Sequence, residues 1–258
     1  MKNENPINQI SNFHILGTPQ PRKSRINSGL AEQLNELYSK QPDNPAKKPK
    51  QETSQADINA PEKSGMIWVS SAKLYFSNER KYLGKNWFEA HKLAQAEGLK
   101  MPTIPEFLEF LKYLRSDSSY SELYKDITEV RNPWRANWLD ADFKVKNKEL
   151  CINYNHKVDS QGNLKPLNTE KLEACLMEDC YADILDYNRQ GLPFPTKKTK
   201  NKEFYYWFPR SDNNSVATFS AYSDSAFLYC YRNPDGRGAS LGVFVCAEGT
   251  QKNSGGKI

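Results

Sequence analysis

Residues 215–246 read SVATFSAYSDSAFLYCYRNPDGRGASLGVFVC, and their alternation leaves little choice of local structure. Strand side chains point in turn to opposite faces of a sheet. Ala217, Phe219 and Ala221 therefore share one face, and Thr218, Ser220 and Tyr222 share the other. The next segment repeats the scheme, with Ala226, Leu228 and Cys230 inward and Ser225, Phe227, Tyr229 and Tyr231 outward. A half-buried strand normally turns polar residues to solvent; here that side carries rings. Over residues 218–240, Tyr, Ser, Gly and Asn fill 10 of 23 positions. That is the mixture of antibody-type surfaces, in which Tyr supplies rigid amphipathic area and small polar residues adapt. An exposed, contiguous aromatic patch marks an interaction site. The competing reading buries this second face against the rest of the domain.

The remaining composition narrows the class. The chain of 258 residues holds one large domain or two small ones. Hydrophobic residues make up 38% and charged residues 26%, and the mean hydropathy of −0.81 is low for a wholly folded domain. A normal core diluted by polar tails is the expectation. The net charge of +5 is mild and points away from nucleic acid as a partner. Cys151, Cys175, Cys180, Cys230 and Cys246 are odd in number and contain no C-x-x-C pair, so reduced core thiols are expected. His14, His91 and His156 are far apart, and no Cys/His zinc spacing can be written. Neither a signal peptide nor a membrane-spanning run is visible, which makes the cytoplasm the default location and leaves the cell surface open.

Three regions follow. Residues 1–64 are a Pro-, Lys-, Gln- and Asn-rich leader, expected to be disordered except for a short helix near 29–40 where Leu30, Leu34 and Leu37 recur at helical spacing. Residues 65–248 form the ordered domain, with 215–246 inside it, and 249–258 form a flexible tail. Order begins with an extended MIWVSSAKLYF. WFEAHKLAQAEG then predicts a helix with Trp87, Ala90, Leu93 and Ala94 on its buried face and Gly98 just past its end. In TIPEFLEFLKYLRS, Thr103 and Glu106 form a capping box, Pro105 sits in the first turn, and Phe107, Leu108, Leu111 and Leu114 face a core. The middle of the chain turns extended, VDSQGNL is a turn, and TEKLEACLMEDCYADILDYNRQGLP is expected to return to helix. FYYWFPR, SVATFSAY, SAFLYCY and SLGVFVCAE close the domain as short strands. Helices early and strands late argue for an α+β fold.

DNNSVATFSAYSDSAFLYCYRNPDGRGASLGVFVC closely resembles the variable region of diversity-generating retroelement target proteins, most of all the archaeal and candidate-phyla type with a C-type lectin fold. The framework is Ser215, Val216, Ala217, Phe219, Ala221, Ser223, Ala226, Leu228, Cys230 and Pro234, followed by Leu241, Gly242 and Val243. MPTIPEFLEFLKYL, NPWRANWLDADF, GLP and YYWFPRSDNNSVA resemble the constant part, so the likeness spans roughly residues 66–247. It implies a C-type lectin-like domain of small antiparallel sheets and two early helices. It also implies a ligand-binding surface rewritten by adenine-directed reverse transcription at Thr218, Ser220, Tyr222, Ser225, Phe227, Tyr229, Tyr231, Asn233, Asp235 and Arg237. Phe244 departs from the group, which commonly has Arg after LGV.

The expectation is a binding protein, not an enzyme, with no cofactor and an unidentified macromolecular ligand, a protein by preference. Two alternatives come with the fold. Oxidases of the formylglycine-generating type need a close cysteine pair for copper, whereas Cys230 and Cys246 fall in framework strands and read as core thiols. Calcium-dependent sugar binding needs several oxygen ligands, whereas Asn233-Pro234-Asp235-Gly236 reads as a turn. Lys197, Lys198, Lys200 and Lys202 beside Tyr205, Tyr206 and Trp207 offer a weak nucleic-acid signal, read more simply as a solvated loop before a core strand. Asp140 and Asp142 would share a face of an extended segment. Backbone capping was the simpler role for them than acid–base work.

Overall fold

A computed structural model describes residues 65–129, 134–222 and 225–249, excluding the side chain of Tyr222. The leader with its expected helix near 29–40, and residues 250–258 of the expected tail, lie outside the described residues. The extended MIWVSSAKLYF is a hairpin rather than one strand, with β1 (Met66–Val69) and β2 (Leu74–Ser77) paired antiparallel. It turns at Lys73, whose φ of 54° is left-handed and whose N–H donates to Ser70 O at 3.2 Å. The last strand of the domain, β11 (Cys246–Glu248), pairs with β2 and completes a three-stranded sheet, so the two ends of the domain are tied together.

Helix α1 (Trp87–Ala96) starts at Asn86. The Asn86 side chain accepts from Glu89 N at 2.9 Å, and the Glu89 carboxylate accepts from Asn86 N at 3.2 Å. This reciprocal cap satisfies two amides that the first turn cannot pair. The helix stops at Glu97, and Gly98 follows at φ +68°, as expected of a residue past a helix end. Its buried face is Trp87, Ala90, His91 and Ala94, at i, i+3, i+4 and i+7. The expectation for Leu93 is corrected, because that side chain is 38% exposed.

Helix α2 (Ile104–Ser116) has the expected Glu106 carboxylate accepting from Thr103 N at 2.8 Å, and Pro105 lies in its first turn. Phe107, Leu108, Leu111 and Leu114 are buried as predicted, joined by Ile104 and Phe110. After a single 3-10 turn comes α3 (Ser121–Thr128).

The eight-stranded sheet carries β3 (Arg135–Lys146), β4 (Glu149–Val158), β5 (Leu164–Lys171), β6 (Cys180–Tyr181), β7 (Phe204–Trp207), β8 (Ser215–Tyr222) and β9 (Ser225–Arg232). The order is β5-β4-β3-β8-β9-β7-β6, and β10 (Leu241–Gly242) pairs with β3 off that path. Neighbours are antiparallel except β7 with β9 and β10 with β3. Three α-helices and two sheets among the described residues make an α+β fold. No helix among them is long and apolar enough to cross a membrane.

The helix expected over TEKLEACLMEDCYADILDYNRQGLP is absent, and the segment runs from the end of β5 through irregular turns. Its own polar side chains supply the reason. Asn188 Oδ1 accepts from the amides of Gln190 and Leu192, both at 3.0 Å, and Gln190 Oε1 accepts from Glu173 N at 2.8 Å. Such side-chain bonds compete with the helical ladder. Leu172, Cys175, Leu176 and Ile184 of this segment are nonetheless core, whereas Leu185 is only partly buried.

The main core lies between α2 and one face of the sheet, where Phe107 meets Phe219 at 5.4 Å and Phe76 stacks on Phe110 at 4.5 Å. A second, smaller core lies against the opposite face. It joins Trp87, Ala90 and Ala94 of α1 to Ala136 and Trp138 of β3, Val216 of β8, and Leu241, Val243 and Val245.

Candidate functional site

The register fixes which side chains share a face. Thr218 stands opposite Tyr229, Ser220 opposite Phe227, and Tyr222 opposite Ser225. On the other side of β8, Thr218 faces Trp138 and Ser220 faces Ala136. The positions read from alternation in residues 218–231 thus occupy one face, and the intervening Ala217, Phe219, Ala221, Ala226, Leu228 and Cys230 are all buried in the main core.

Solvent access divides that face unevenly. Phe227, Tyr229 and Tyr231 on β9 are partly exposed. Thr218, Ser220 and Ser225 are not the outward, exposed positions expected of them; they are 3%, 5% and 9% exposed. The cause is size and position. β8 runs between β3 and β9, so Thr218 and Ser220 lie low between Ala136, Trp138 and the rings of Phe227 and Tyr229, while Ser225 opens β9 opposite Tyr222. Asn233, Asp235 and Arg237 are exposed on the loop after β9. That loop is built: Asn233 Oδ1 accepts from Asp235 N at 3.0 Å, Pro234 O accepts from Trp87 N at 3.0 Å, and Arg237 pairs twice with Glu89 at 2.8 Å. It caps the start of α1.

The rings of β9 continue across β7 and β6. Tyr231 lies 4.4 Å from Tyr229, Trp207 lies 5.7 Å from Tyr229 and 5.8 Å from Tyr231, Tyr205 lies 5.1 Å from Trp207, and Tyr181 lies 4.9 Å from Tyr205. Phe227 completes the row at 6.5 Å from Tyr229. Arg210 covers Tyr231 at 4.4 Å and pairs with Asp179 at 2.6 Å. Burial raises the Tyr229 and Tyr231 phenols above their usual range, and burial likewise raises Asp179 against the pull of Arg210. Tyr205 and Trp207, read from the sequence as part of a core strand after a basic loop, are instead partly exposed members of this row, and Tyr181 was not singled out. Phe204 and Tyr206 are buried while Tyr205 and Trp207 are not, the same alternation as in β9, but FYYW is aromatic throughout and gives no such signal in the sequence.

A second constellation lies under α1. His156 Nδ1 stands 2.5 Å from Asp140 Oδ1, and His91 Nε2 stands 3.5 Å from the same oxygen. Asp140 Oδ2 accepts from His156 N at 3.0 Å, and His156 Nε2 is 3.7 Å from Asp142 Oδ1. Trp87 packs edge-on against both imidazoles, at 4.4 Å and 4.9 Å, while its own Nε1 donates to Leu139 O. Two irregularities make the meeting possible. The pairing of β3 with β8 shifts between Trp138 and Asp142, freeing the Asp140 amide to donate to Pro102 O, and Asn155 adopts φ +55° just before His156. Burial pushes the His91 imidazole down to about 4 against the pull of Asp140, so it is neutral at pH 7. Histidines distant in sequence are thus adjacent in space; Asp140 accepts from a backbone amide, as expected, and both Asp140 and Asp142 are also buried beside imidazoles.

All five cysteines are free and buried. Cys230 and Cys246 lie in different sheets, and burial drives both thiols well above their ordinary range. Of the basic loop, Lys197 pairs with Asp186 and Lys198 with Glu178. No family model matches the chain, no curated protein matches its sequence, and no solved structure matches its fold.

Proposed function

We propose that this chain is a ligand-binding protein whose C-type lectin-like scaffold displays a replaceable surface, diversified by a retroelement. One observation carries the reading: a continuous row of rings, Tyr181, Tyr205, Trp207, Phe227, Tyr229 and Tyr231, lies half-exposed on strands whose alternate residues are locked in the core. Such rings bury large area at small entropic cost, and Tyr, Trp and Arg are the residue types that dominate binding energy at interfaces. Arg210, Asn233, Asp235 and Arg237 supply polar groups near the row, and the ligand is a macromolecule, by preference a protein. The burial of Thr218, Ser220 and Ser225 restricts the present surface to β6, β7, β9 and the loop. Larger residues at Thr218 and Ser220 would extend it toward Trp138 and Ala136.

The oxidase reading lacks support from cysteine placement, and Asn233 Oδ1 is engaged within its own turn rather than gathered with other oxygen ligands. The test is to sequence this locus and its flanks in many independent isolates. The reading predicts a near-copy of codons 215–246 beside a reverse transcriptase gene, with changes confined to the ten outward codons and absent from Ala217, Phe219, Ala221, Leu228 and Cys230. Uniform variation across both sets, or no second copy, would refute it.

A further inference from the structure

The buried His91, Asp140 and His156 cluster serves no part of the display surface. The donor atoms of the three residues all lie within 4.8 Å of one another. All three residues are 7% exposed or less. His91 Nε2 and Asp142 Oδ1 are buried and make no hydrogen bond. A buried polar atom without a partner costs about 1–3 kcal/mol, and two neighbouring buried carboxylates need a compensating cation. Lys144 reaches only Asp142, at 3.5 Å.

We propose that His91 Nε2, Asp140 Oδ1 and His156 Nδ1 form a binding site for a divalent transition metal ion of the zinc class. Imidazole and carboxylate donors suit such an ion. The 3.5 Å between His91 Nε2 and Asp140 Oδ1 matches the edge of a tetrahedron with bonds of about 2.0–2.1 Å. The ion replaces the proton shared by His156 Nδ1 and Asp140 Oδ1, and those atoms part to ligand separation. His156 then carries its proton on Nε2, 3.7 Å from Asp142 Oδ1, and closes by about half an ångström or more for that oxygen to accept it. That gives Asp142 the orienting role a second carboxylate commonly plays behind a metal-bound histidine. Trp87, anchored on Leu139 O, holds both rings edge-on, and the shared site ties α1 to β3 and β4. The inference does not depend on the display reading.

The full-length chain, purified without a polyhistidine tag and stripped by chelator, is titrated with Zn²⁺ against a chromophoric competitor and with Co²⁺ by visible absorption. The site predicts one ion per chain and ligand-field bands of a four- or five-coordinate nitrogen–oxygen site. X-ray absorption of the zinc form should show imidazole scattering with a first shell at about 2.0–2.1 Å. His91→Ala should weaken binding by about 100-fold or more, while His14→Ala leaves it unchanged. A parent protein that is folded by circular dichroism yet takes up no ion overturns the proposal, leaving a plain His–Asp hydrogen bond. So does undiminished uptake by a folded His91→Ala. If that variant fails to fold, the stoichiometry and absorption spectrum of the parent still decide.

Discussion

On one side of the eight-stranded sheet Ala217, Phe219, Leu228 and Cys230 disappear into the core beneath α2; on the other, Tyr229 and Tyr231 stay partly exposed. The same two strands build both sides. The first side is apolar from Ala217 to Ala221 on β8 and from Ala226 to Cys230 on β9 and has one good packing solution. The second is heterogeneous. Under α1 it holds small residues, Trp87, Trp138 and the buried imidazoles, whereas over β9, β7 and β6 it is a row of partly exposed rings. The difference separates two demands that one residue seldom meets. On the proposed function, positions that set the fold resist change, and positions that would touch a partner must accept it.

The largest expected effect lies on the packed side. Phe219→Ala removes a fully buried ring between Phe107 and Phe204 and should cost about 3–5 kcal/mol in urea unfolding. A loss below about 1 kcal/mol would erase the contrast between the two sides. Next comes Gly191→Ala, where the irregular segment crosses the start of α2. Gly191 has φ +82°, and an added Cβ would stand 2.6 Å from Ile104 Cγ2 and 2.7 Å from Pro105 N. A destabilisation of about 1–3 kcal/mol is expected, read in the same unfolding curves.

On the open side the sign of the comparison reverses. Tyr231→Ala gives up contacts with Tyr229, Trp207 and Arg210, and should cost only about 1 kcal/mol of stability. Against any protein selected as a binder of the parent, the same change should cost about 1–4 kcal/mol by calorimetry. Equal losses in both assays would merge the two sides. Arg237→Ala, which breaks an exposed pair with Glu89, should leave the melting temperature unchanged within error.

Much of this division was legible in the sequence because period and capping are local. The cap at Thr103 and Glu106, the stop at Gly98 and the alternation in β8 and β9 depend on neighbours a few residues away. Where the reading failed, distant contacts decided. The leucines and cysteines of 172–185 have a helix-compatible pattern, but Asn188 and Gln190 spend their side chains on backbone amides. Thr218 and Ser220 alternate outward, yet a central strand with Trp138 on one side buries them. His91 was within reach, since it completes the i, i+3, i+4, i+7 face of α1 that Leu93 had been given. His156 was not, because its meeting with Asp140 rests on a register shift and a left-handed Asn155.

The claim at the centre is that the rings of β9 can be exchanged without loss of the framework. Thermal unfolding of a Phe227→Ser, Tyr229→Ser, Tyr231→Ser triple variant, run beside Leu228→Ser, tests it most directly. The account predicts that the triple variant melts in one cooperative transition within about 10 °C of the parent, while the single change at Leu228 destroys the transition. A triple variant that unfolds as Leu228→Ser does would contradict it, because the rings would then belong to the core.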